Sequence, residues 1–244
     1  GFVELLDQIQ PQTIHTYVFE DTLQEDPSAD SAIVSSLHAV NQSGIYGLLS
    51  RTTRDSVPPS TSSSLRFLEQ YLNSRDPSQV PLNTIAFVDE PNLRYRSYEA
   101  FEDYFVQLAR VARITTESLG MSVDIAAPES SRMVDGPADS DRRHQTGLDW
   151  TLRLLESHWD LIDTISWHMW QIRSLEATDR FGETILDVAQ LNEKLAQSFD
   201  APPKKLAISQ TNLGSGPNVS PDQQDTPYAG LWWASVAAQS IRTG

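Results

Sequence analysis

The residues best equipped for chemistry fall in three short runs: Asp89-Glu90-Pro91-Asn92, His168-Met169-Trp170 and Ser209-Gln210-Thr211. Residues 84–88 are β-branched or apolar and predict a buried strand. Pro91 has no N–H to give a sheet, so the chain turns there and leaves two carboxylates at the strand tip. A carboxyl held at such a tip can protonate a leaving group or activate water. Residues 205–209 predict a second such strand, and the residue just beyond it is Gln210, an amide. Residues 163–170 alternate, so Ser166, His168 and Trp170 share one face. A tryptophan there offers an apolar ring face, although core packing would give His168 and the tryptophans the same pattern.

Something must hold these tips side by side. Apolar spacing predicts helices over 1–10, 31–40, 65–73, 97–119, 148–159, 184–199 and 228–242. Strands are predicted over 13–19, 45–49, 84–88, 122–127, 163–170 and 205–209. Regular alternation of helix and strand implies parallel pairing with right-handed crossovers. The expected fold is α/β, a (β/α)8 TIM barrel in which six of the eight strands are recognisable. One domain over 1–244 is expected, with the first and eighth strands missing from the chain. An open doubly wound sheet is disfavoured because no Gly-rich phosphate loop follows the first strand.

Bulk properties narrow the function. Eighteen Lys and Arg against 33 Asp and Glu give a net charge of −15, the wrong sign for general nucleic-acid binding. No apolar run reaches the length of a membrane span. Without cysteine there is neither a disulfide framework nor thiolate catalysis. The five histidines show no metal-ligand spacing, so neither a metal nor a cofactor is expected. No signal peptide is visible at the start of the chain. An isomerase or aldolase barrel would need a phosphate site or a Schiff-base lysine. Lys194, Lys204 and Lys205 do not lie beyond strand ends.

A strand ending in Asp-Glu-Pro-Asn, with a second site residue three strands later, resembles the retaining glycoside hydrolases built on (β/α)8 barrels, clan A. In that clan the acid/base Glu follows Asn at the end of the fourth strand, and the nucleophile Glu ends the seventh. If the first strand is the missing one, Glu90 and Gln210 fall at those two places. The resemblance implies Glu90 as acid/base, Gln210 at the nucleophile position, and Asp89, Asn92, His168 and Trp170 as substrate-binding residues. It also implies a secreted or periplasmic protein acting on an oligo- or polysaccharide.

Two residues depart from the pattern. Asp89 stands where the clan usually has Asn, and Gln210 cannot form a glycosyl-enzyme because an amide is a poor nucleophile. The expectation is an engineered Glu→Gln exchange in a hydrolase, inactive as it stands. The alternative is a non-catalytic carbohydrate-binding barrel. Arg51, Arg54, Arg94, Arg96, Arg132, Arg142, Arg143 and Arg173 all follow strands. Arg51, Arg94 and Arg173 are therefore candidate contacts to an anionic glycan, sulfated or uronate-bearing, because guanidinium pairs bidentately with sulfate and carboxylate. Acidic residues in the same loops could equally be their partners.

Overall fold

Six segments form strands that pair side by side in chain order, all parallel: β1 (Thr13–Phe19), β2 (Gly44–Ser50), β3 (Leu82–Ala86), β4 (Asp124–Ser130), β5 (Thr164–Met169) and β6 (Lys205–Thr211). The structure is a computed structural model and describes residues 13–19, 44–50, 60–75, 81–137, 140–170, 172–213 and 226–243. The helices predicted over 1–10 and 31–40, together with Arg51 and Arg54, lie outside the described residues.

Between and after the strands run α1 (Thr61–Asn73), the single turn α2 (Pro91–Arg94), α3 (Tyr98–Ser118), α4 (Gly147–His158), α5 (Asp179–Ser198) and α6 (Pro227–Thr243). Their starts are chemically marked. Ser60, Ser97 and Thr146 each accept a hydrogen bond from a backbone N–H three residues on, which satisfies a donor left without an intrahelical partner. In α3 the buried positions Phe101, Tyr104, Phe105, Leu108, Ala109 and Ala112 repeat every three or four residues and form one stripe against the sheet.

A strand order that never reverses separates this sheet from a doubly wound one. Right-handed crossovers then place the described helices on the same face. That face carries the main apolar core, including Leu68, Ile85, Phe87, Phe101, Phe105, Trp150, Ile165 and Trp167. The opposite face curls inward around different residues. A small cluster of Tyr46, Leu48, Ala86 and Ala126 lies there. So do Ser166 and His168, both fully buried, because they alternate with Ile165 and Trp167. The curl is tight enough that Tyr17 of β1 hydrogen-bonds Gln210 of β6, across the two edge strands of the sheet. The described residues thus form a curled six-stranded parallel sheet, a section of a barrel, with the six strands expected.

Candidate active site

Glu90 is positioned by the turn at the end of β3. Its backbone is left-handed (φ 51°, ψ 58°), and Pro91 follows as the first residue of α2. That conformation costs a non-glycine residue roughly 1–2 kcal/mol. Glu129 on β4 (φ 62°) and Arg132 just past it (φ 46°) share it. Of these left-handed residues Glu90 and Arg132 line one cleft, so backbone strain is gathered at a site. A main-chain bond from Glu90 N–H to Glu129 C=O, 3.2 Å, ties the two tips together.

Beneath Glu90 lies a buried ionic column. His168 Nδ1 is 3.2 Å from Glu90 Oε1, and its Nε2 is 2.8 Å from Glu129 Oε2. Both ring nitrogens face carboxylate oxygens, so the doubly protonated imidazolium is the form that satisfies both. Burial alone would disfavour that charge. The hydrogen bonds and charges of Glu129 and Glu90 outweigh burial, and the His168 pKa is pushed up to about 9. Burial likewise works against an ionised Glu129, yet the His168 hydrogen bond and charge, with the Ser209 hydroxyl, hold it below the usual carboxylate range. Tyr46 and Ser209 donate to its two oxygens. Next to this column, burial pushes His15 below its ordinary value, against the pull of the Glu129 charge.

The rim is a second network. Gln210 Nε2 donates to Tyr17 Oη and, at 3.2 Å, to Asp89 Oδ1. Tyr17 donates to the same Asp89 oxygen at 3.2 Å, and Arg94 Nη2 holds Asp89 Oδ2 at 2.6 Å. Beside it opens a cleft of about 240 Å3, lined by Asp89, Glu90, Leu93, Ser131, Arg132, Trp170, Arg173 and Gln210. That volume falls just below the roughly 300–1,000 Å3 typical of ligand sites.

Glu90, Gln210, Asp89, Trp170 and Arg173 therefore meet at one cleft. Several side chains are placed differently from expectation. His168 is fully buried and touches Glu90 rather than the open cleft. Asn92 is also fully buried: its amide donates to Ser131 C=O (2.7 Å) and accepts from Ser131 N–H (3.0 Å), clamping the bend just past β4. Asp89 offers no uncommitted oxygen, since three donors already occupy it. Arg94 is spent on Asp89, and Arg142 caps the carbonyls of Leu93 and Tyr95. Glu129 is 1% exposed on β4. Tyr17 and Tyr46 were not singled out as site residues. For Tyr17 the alternation of β1 carried the signal, since it puts His15 and Tyr17 on the face opposite Val18. Among the described residues no group of three or more His, Asp or Glu side chains is arranged to hold a metal ion, and no helix is long and apolar enough to cross a membrane.

No protein-family model matches the chain. A stretch of 74 residues is 35% identical to the histone chaperone rtt106 of Aspergillus terreus, but it covers 29% of this chain and 16% of that protein. Solved structures agree over far more of the fold. A glucosidase from Croceicoccus marinus superposes with a TM-score of 0.67 at 13% identity, over 98% of this chain and 53% of its own. A GH39 β-xylosidase from Caulobacter crescentus gives 0.65 at 11%, over 99% and 55%. A GH26 β-mannanase from Bacteroides ovatus gives 0.55 at 12%, over 83% and 62%. The chain spans about half the length of the first two. Its fold is similar to that of glycoside hydrolase barrels, the likeness its strand-tip motifs suggested.

Proposed function

We propose that the cleft is a glycoside-hydrolase-type site that binds an oligo- or polysaccharide and, with Gln210 in place, does not cleave it. The observation that carries this reading is the meeting of Glu90, Gln210 and Trp170 at one cleft. Glu90 has the acid/base place: one carboxyl oxygen is held by His168, which orients the group toward a glycosidic oxygen. Trp170 supplies a ring for stacking on a sugar. Retaining hydrolysis would need a carboxylate at position 210 to attack the anomeric carbon while Glu90 protonates the departing oxygen. Water activated by Glu90 would then release the sugar. The amide can accept or donate a hydrogen bond but forms no such ester. Arg132 and Arg173 on the cleft wall favour an anionic glycan, sulfated or uronate-bearing, and a polymer of that kind suits a secreted or periplasmic protein.

The test is calorimetric titration with a panel of neutral, uronate-bearing and sulfated oligosaccharides, alongside a reducing-end assay. The expected outcome is saturable binding without reducing-end release, tightest for anionic members and weakened by Arg173→Ala. Absence of binding across the panel would overturn the reading. An exchanged nucleophile and a native binding barrel differ in one respect: in the first, Gln210→Glu alone should yield hydrolysis. The bond from Gln210 to Asp89 favours the second.

A further inference from the structure

We infer that Asp89 and Gln210 form one matched carboxylate–amide unit, so that the residue at 89 decides whether position 210 can carry the charge a nucleophile needs. The activity consequence rests on the reading of the cleft as a glycan site; the pairing does not.

An amide nitrogen has two hydrogens. Those of Gln210 go to Tyr17 Oη and Asp89 Oδ1, and Tyr17 donates to the same Oδ1. The ring of three bonds fixes which way the amide points and leaves its Oε1 solely as an acceptor. The ring contains one negative charge, on Asp89, and Arg94 neutralises it from outside. Asp89 is therefore no substitute nucleophile, because both its oxygens are committed.

A carboxylate at 210 would remove both donors and set a second negative charge about 3 Å from the first. Two carboxylates that close share a proton rather than both ionising. Gln210→Glu alone would thus create a half-protonated pair, not a free nucleophile. Exchanging both residues restores the bond with its polarity reversed: an amide at 89 donates to a carboxylate at 210. The two departures from the hydrolase pattern are then a single reciprocal change.

The test is a double-mutant cycle on the ligand-free protein at pH 7: the unaltered chain, Asp89→Asn, Gln210→Glu and Asp89→Asn/Gln210→Glu. Gln210→Glu should lower the melting midpoint by about 2–4 °C, the shift expected for roughly one lost interaction in a chain of this size. The double variant should lose clearly less than the sum of the two single changes. Additive losses would overturn the inference. In the reducing-end assay the double variant should act at least tenfold faster than Gln210→Glu; measurable and equal rates in the two would also overturn it. The cycle uses no glycan, so its failure is separate from failure of the glycan reading, which would show as absent binding.

Discussion

The two halves of the site are built on opposite principles. The inner half, Glu129 with His168, Tyr46 and Ser209, holds a full ion pair with both members at most 1% exposed. The outer half, Asp89 with Gln210, Tyr17 and Arg94, is open to solvent at the arginine and held by hydrogen bonds. Charges out of water are costly unless matched, so the inner half tolerates no single change. Charges at the rim are screened, and substitutions there mainly alter what the cleft presents to a ligand. Glu90 joins the two: His168 grips it from below, and it lines the cleft above.

The largest effect should come from breaking the inner pair. His168→Leu or Glu129→Leu is expected to cost about 3–5 kcal/mol in chemical denaturation, because each leaves a buried charge without its closest partner. His168→Leu/Glu129→Leu should cost less than either single change. If the singles cost no more than a surface substitution, the contrast between the halves fails.

Titration sharpens the same contrast. His168 is raised from 6.5 to about 9 in the folded chain, so its contribution is complete below 6.5 and lost as pH climbs through about 9. Glu129 is lowered from 4.5, so its contribution is present above 4.5 and lost as pH falls further. The melting midpoint should therefore be highest between about 4.5 and 6.5 and decline toward pH 9. His168→Leu should flatten the alkaline decline.

At the cleft, Trp170→Ala should weaken glycan binding by about 0.5–1.5 kcal/mol with little change in stability, read by calorimetry. Smallest of all should be Arg94→Ala, about 0.2–1 kcal/mol in stability and fading with added salt, since this ion pair is partly exposed. A rim variant as disruptive as the inner ones would erase the distinction.

Local patterns made the scaffold legible. The strands over 164–169 and 205–211 and the helix over 98–118 fall within two residues of their predicted bounds, because each is a strongly periodic run ended by a turn residue. The start of α1 was missed because Thr61-Ser62-Ser63-Ser64 reads as a loop. Ser60 caps it, and Ser64 is buried against the core side. The start of α5 at Asp179 was missed because Gly182 weakens the helical pattern, whereas Phe181 and Ile185 bury one face there. Within the site, Glu90 and Gln210 were visible as strand tips. The ring joining Tyr17, Asp89 and Gln210 was not, because it links residues up to 193 positions apart and depends on how far the sheet curls. The predicted strand over 122–127 stops short of Glu129, and only the register of β4 beside β5 shows that this carboxylate meets His168.

The most direct test of the central claim is to follow the Gln210 side-chain amide and the Trp170 indole N–H by NMR while an oligosaccharide that binds is added. The account predicts that both signals shift together and saturate at one affinity. Saturable binding that leaves both unmoved would place the ligand elsewhere and contradict it.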